Sequence, residues 1–170
     1  MKVVFLDLDG VVNNGRYDPK AATYALVPGC VAQLGRILER TGAKVVLSSS
    51  WRYLVHEGLM SLSEFEQVLG HHGAPGIQII GLTPTDEQVR GRGNQIQAWL
   101  DANGSGLGIA SYVVLDDMDA ADEFDPRQHR LVRTNPTVGL TDKDANAAIA
   151  ALLSDQVAGC TELEADPAAG

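Results

Sequence analysis

Short apolar runs recur along the chain at residues 3–6, 44–47, 77–80, 112–115 and 131–133, each cut off by polar residues, glycine or proline. They are continuous rather than alternating and rich in β-branched residues. That pattern predicts strands buried on both faces, as in a parallel sheet. Helical spacing fills the gaps between them. Val31, Leu34, Ile37 and Leu38 form one stripe and predict a helix over 31–40 that stops at Gly42. Ser61 and Glu64 have capping-box spacing ahead of Phe65, Val68 and Leu69, and predict a helix that ends at Gly70 or Gly73. Ile96, Trp99 and Leu100 mark a third helix, and a fourth begins near Thr141 with Ala145, Ala148, Ile149 and Leu152 facing inward. Strands alternating with helices predict an α/β fold, a Rossmann-like three-layer sandwich around a mostly parallel central sheet.

Composition narrows the class. A chain of 170 residues with 45% hydrophobic content builds one core. We expect a single domain over 1–157 and a disordered tail of small and acidic residues over 158–170. No apolar run approaches the roughly 18 residues of a membrane span, and the chain enters its first strand directly, so a cytoplasmic protein is expected. Cys30 and Cys160 have neither the density nor the spacing of a disulfide framework or zinc site. Cys30 reads as a small helical residue, and His71-His72 as a solvated helix end.

The polar residues that end the strands carry the chemistry. Asp7 and Asp9 close the first run and share one face of it, followed by Gly10. Ligands of open α/β sheets bind outside the carboxyl ends of the strands, so these acids stand at a mouth. Two like charges there repel unless a proton or a divalent cation intervenes. Ser48 is the first hydroxyl after the second strand, within Ser48-Ser49-Ser50-Trp51-Arg52. Arg90 and Arg92 precede a helix, and Asp116-Asp117 follow the strand at 112–115. Taken singly, each has a plainer meaning: an Asp-Gly turn, a helix cap, solvated cations, a capped loop. Their order along the chain, each acid or hydroxyl ending an apolar strand, is what points to a site.

That order resembles the haloacid dehalogenase (HAD) superfamily, whose first motif is a hydrophobic run followed by Asp-x-Asp-Gly. The resemblance implies that Asp7 is a nucleophile toward phosphorus and Asp9 a general acid and base. Ser48 would hydrogen-bond the transferring phosphoryl group, and Arg92, preferred over Arg90, would offset charge. Asp7, Asp9, Asp116 and Asp117 would hold Mg2+, with Asp116 first in line and a register using Asp117 with Asp122 as the alternative. Ser49, Trp51, Arg52 and Gly10 would line the substrate. The gaps after the first motif and between the second and third hold a flap, single helices and one strand, which implies a HAD fold without a separate cap domain. An open mouth of that kind implies a large substrate, or a partner protein or domain that supplies a lid.

Ser48 to Arg52, Arg92-Gly93-Asn94-Gln95-Ile96-Gln97-Ala98-Trp99-Leu100, Val113 to Asp117 and Gly139-Leu140-Thr141 are similar to the HAD domain of Swiss Army Knife RNA-repair proteins, over about residues 2–153. This implies a phosphatase acting on a terminal phosphate of nucleic acid; the sequence has no kinase P-loop or ligase motif. Charge pulls the other way. With 13 Lys+Arg against 22 Asp+Glu the net charge is −9, whereas backbone binding by counterion release needs a basic footprint. Arg16, Lys20, Arg52, Arg90 and Arg92 near the strand ends, with Trp51 as a base platform, are the local features that favour a chain end. A nucleotide or sugar phosphate is the alternative substrate, and a catalytically idle binding scaffold the alternative role. A phosphoacceptor receiver domain fits poorly, because its acidic pair belongs on the first strand and its acceptor on the third. A dehalogenase would not need Asp9.

Overall fold

A computed structural model describes residues 1–18, 23–85, 89–118, 124 and 130–154. The expected tail, Cys160, Asp122 and Lys20, and the side chain of Arg16, lie outside the described residues.

Five strands form one all-parallel sheet: β1 (Lys2–Leu6), β4 (Lys44–Leu47), β5 (Ile79–Leu82), β6 (Ser111–Asp116) and β7 (Leu131–Arg133), in the spatial order β5-β4-β1-β6-β7. β1 lies in the middle, Phe5 beside Val46 on one side and Val114 on the other. Alternate residues serve opposite faces. Val4, Leu6, Val45, Leu47, Val113 and Leu115 pack with helices α1 (Pro28–Thr41), α3 (Leu62–His72) and α5 (Asp142–Leu153) through Val31, Leu34, Ile37, Phe65, Leu69, Ala145, Ala148 and Leu152. Val3, Phe5, Val46 and Val114 pack on the other face with Ile96 and Trp99 of α4 (Arg92–Leu107) and with Phe124. Phe5 meets Trp99 edge to face at 5.5 Å between centroids. This double burial is why the strands are apolar without alternation, and it gives the three-layer α/β architecture expected.

The helices begin and end where local chemistry directs. Pro28 occupies the first turn of α1, and Gly42 closes it in the left-handed conformation, its N–H donating to the Leu38 carbonyl. Ser61 with Glu64, and Thr141 with Asp144, form complete capping boxes on α3 and α5. His71 and His72 end α3, the first exposed and the second half-buried, each Nδ1 2.7 Å from a carbonyl one turn back.

Three details differ from the pattern. The β5 strand lies at Ile79–Leu82, two residues later than the apolar run, because Ile77 N–H turns back to Ala74 O before pairing starts. Val68 is exposed rather than inward, since Phe65 and Leu69 already fill the buried side of α3. A short helix α2 (Arg52–His56) follows the serines. The flap after the first motif is an antiparallel pair, β2 (Asn13–Asp18) with β3 (Thr23–Leu26), forming a sheet of its own. Among the described residues there is no separate cap domain, and no helix is long and apolar enough to cross a membrane.

Candidate active site

Backbone pairing continues past the strand ends. Asp7 N–H donates to Leu115 O (2.9 Å), Ser48 N–H to Leu6 O (3.0 Å) and Thr134 N–H to Asp116 O (3.0 Å). The residues at the carboxyl edge are therefore held by the ladder, and their side chains project from rigid backbone. The chain lays β4 and β5 on one side of β1 and then crosses over to β6 on the other. Such a reversal opens a crevice at the carboxyl edge. Asp7 and Asp116 border it from adjacent strands.

One carboxylate oxygen each from Asp7, Asp116 and Asp117 lie within 4.8 Å of one another. Neighbours on a strand point apart, but β6 ends at Asp116, and the chain beyond it is free to turn Asp117 to the same side. Arg92 Nη1 sits 3.0 Å from Asp7 Oδ1 and 3.1 Å from Asp116 Oδ2. As the first residue of α4, Arg92 faces the unfavourable positive end of the helix dipole, and the two carboxylates offset that cost. Arg90, two residues earlier, is exposed, and its carbonyl accepts from Asn94 Nδ2.

One arginine among three acids leaves an excess of negative charge. Asp116 is fully buried, with Oδ1 accepting from Met118 N–H at 3.0 Å. Its pKa is raised to about 7, by burial above all, with Arg92 pulling it down and Asp7 pushing it up. Asp117 is raised too, by burial first and by Asp7 second. The cluster is thus built to hold a proton or a cation. Its all-oxygen donor set suits a hard divalent ion such as Mg2+ rather than zinc, so the residues fit the metal that the sequence implies.

Gly10 makes room for this arrangement. Its φ is +69°, and a Cβ there would come 2.4 Å from Asp117 Oδ2. Gly10, expected to line the substrate, donates its amide N–H to Asn13 Oδ1 (3.0 Å) and accepts from Thr134 Oγ1 at its carbonyl (2.7 Å). Asp9 is also differently employed. Its side chain, expected among the metal ligands, is outside the three-carboxylate cluster, because Asn13 Nδ2 donates to Oδ1 at 2.7 Å and Trp51 Nε1 to Oδ2 at 3.0 Å.

The serine segment divides its work. Ser48 is fully buried, and its hydroxyl has no hydrogen-bond partner among the described residues. Ser49, also buried, accepts from Trp51 N–H through Oγ and so shapes the turn into α2. Arg52, expected at the substrate, is buried: Nη1 donates to the Ser48 and Ser49 carbonyls and Nη2 to Gln95 Oε1, tying β4 to α4. Asn13 and Thr134 were not foreseen as parts of the site. Thr134 had a faint signal, a hydroxyl ending a strand as Ser48 does; Asn13 had none apart from its position in the turn after Asp9.

A cavity of about 620 Å³ opens at the opposite, amino edge of the sheet, around Arg36, Lys44 and Gly76. The carboxylates do not line it, so chemistry rather than concavity marks the site. The pattern of one protein family, described as the HAD domain in Swiss Army Knife RNA repair proteins, matches residues 3–145. No curated protein matches the sequence.

Proposed function

The chain belongs to that family, and from this premise we propose that it is a Mg2+-dependent phosphomonoesterase that removes a terminal phosphate from nucleic acid. Family membership supports a phosphatase or hydrolase in general. The observation that carries the rest is the convergence of Asp7, Asp116 and Asp117 around Arg92 at the crevice between β1 and β6.

Asp7 attacks phosphorus through a carboxylate oxygen, the ester P–O bond breaks, and Asp9 gives its proton to the leaving oxygen. Asp9, now ionised, takes a proton from a water that attacks the phosphorus of the aspartyl-phosphate, and the P–O bond to Asp7 breaks. Asp7 is regenerated and phosphate leaves. Two easier displacements replace one difficult one. Arg92 neutralises the nucleophile, and Ser48, whose buried hydroxyl has no partner among the described residues, hydrogen-bonds a phosphoryl oxygen. Asp7, Asp116 and Asp117 would hold Mg2+, which supplies charge neutralisation for the phosphate when bound.

A smaller phosphomonoester, a nucleotide or sugar phosphate, is the second reading, favoured by the net charge of −9. The open mouth also leaves room for a partner protein or domain as a lid. The test is phosphate release from an aryl phosphate, with Mg2+ or chelator, by wild type and Asp7→Asn, followed by phosphorylated oligonucleotides against mononucleotides. Mg2+-dependent release lost in the variant is expected. Release by Asp7→Asn at the wild-type rate would overturn the covalent mechanism, and preference for mononucleotides would establish the smaller substrate.

A further inference from the structure

We propose that Trp51 and Asn13 are positioning residues for proton transfer, a two-donor clamp that fixes the Asp9 carboxylate in the orientation from which it serves the leaving oxygen; this rests on the phosphatase reading. Asp9 stands in a turn rather than on a strand, with Val11, Val12 and Asn13 N–H groups all directed at the Leu8 carbonyl. Its backbone is therefore fixed, while its side-chain torsions are not. The two donors settle those torsions. Asn13 is fully buried, and because Gly10 N–H donates to its Oδ1, its Nδ2 is the end turned to Asp9 Oδ1. Trp51 approaches the other oxygen from a different element, its indole N–H 3.0 Å from Oδ2.

Trp51 is itself anchored at both ends. Its backbone N–H donates to Ser49 Oγ, and its ring meets Phe65 of α3 at 6.3 Å between centroids. Two bonds occupy only part of the acceptor capacity of a carboxylate, about four lone-pair directions. Each oxygen keeps a direction free for the travelling proton. A clamp of this kind acts on the reaction only through Asp9, and matters in proportion to how much the leaving group needs a proton.

The test compares kcat/KM on methyl phosphate, a poor leaving group, and dinitrophenyl phosphate, which leaves without protonation, both with Mg2+. Trp51→Phe keeps an aromatic ring toward Phe65 and removes the indole N–H. Asn13→Leu removes the other donor without adding a charge beside Asp9, so either variant suffices if one fails to fold. We expect losses on the order of tenfold on methyl phosphate and less than about twofold on dinitrophenyl phosphate. The Trp51→Phe loss should vanish in an Asp9→Asn background, because the two act as one unit. Equal losses on both substrates, or losses that add to that of Asp9→Asn, would mean that Trp51 and Asn13 only pack, and would overturn the clamp while leaving the phosphatase standing. A wild type inactive on both substrates would overturn the phosphatase reading and the clamp with it.

Discussion

Arg92 illustrates how one side chain can be placed by what it opposes. It holds together Asp7 and Asp116, two buried acids on adjacent strands, and shares their charge. Removing one member of a buried ionic group leaves the others uncompensated, which typically costs about 3 kcal/mol or more. Arg92→Ala should therefore lose that much stability in chelator at neutral pH, read by urea denaturation, and recover part of it in Mg2+; an unchanged midpoint would mean the contact carries no weight. Gly10 makes a complementary point. Any side chain there meets Asp117 and also adopts an unfavourable φ. Gly10→Ala should weaken Mg2+ binding on the order of tenfold or more, measured by calorimetry, with the fold retained. The same pair of residues marks what was legible in the sequence. Asp7, Ser48, Arg92, Asp116 and Asp117 announce themselves, because an acid, hydroxyl or cation at the end of a buried strand or start of a helix is conspicuous. Asn13 and Thr134 do not, because their roles are contacts with backbone and carboxylate across the turn, set by tertiary approach.

Elements were legible where pattern and punctuation agreed. The five strands of the sheet and the four long helices follow from buried runs, helical stripes, capping boxes and glycine stops, so their order was readable before their packing. The failures have local causes. The β5 strand starts late because its register is fixed by pairing of Val45 with Ile79, not by its own apolar run. Helix α2 is too short to show a stripe, and is instead organised by Ser49 and Arg52 contacts. Capping also yields a prediction at this scale. Thr141 Oγ1 accepts from Asp144 N–H, and its own N–H and hydroxyl donate to Asp144 Oδ2, at the start of the helix that packs Ala145, Ala148 and Leu152 into the core. Thr141→Ala should cost about 1 kcal/mol in denaturant unfolding. Activity in native buffer should be retained, since the hydrogen bonds of this cap join Thr141 to Asp144 and, among the described residues, reach none of the carboxylates of the cluster.

For the whole molecule, the acidic cluster couples stability to pH and metal. Folded Asp116 keeps its proton to about pH 7, whereas an unfolded aspartate releases it near pH 4. The folded state then binds more protons between those values, so this group makes stability fall as pH rises through that window. A cation bound there at high pH relieves the same repulsion. Mg2+ should thus raise the thermal midpoint clearly near pH 8 and little near pH 5, and a shift independent of pH would count against Asp116 as a ligand. Net charge bears on the substrate. A chain of charge −9 gripping only a terminal phosphate should show a shallow salt dependence for oligonucleotide binding, a log–log slope no steeper than about −1, where an extended backbone footprint gives about −0.9 per phosphate neutralised. A steep negative slope would reveal a basic track along the strand.

The central place of β1 has a bearing on how the protein is made. β1 finds one neighbour strand beginning at Lys44, beside Val3, but the other only at Ser111, beside Lys2, so the β1 slot closes late in synthesis. Until β6 emerges, a growing chain carries β1 with one long apolar edge open, and Asp7 without Asp116 or Asp117 beside it. Pairing so distant in sequence makes closure slow relative to local helix formation. Chains stopped short of β6 should therefore lack the three-carboxylate cluster and aggregate, and the complete cluster forms in the same step as the covered edge.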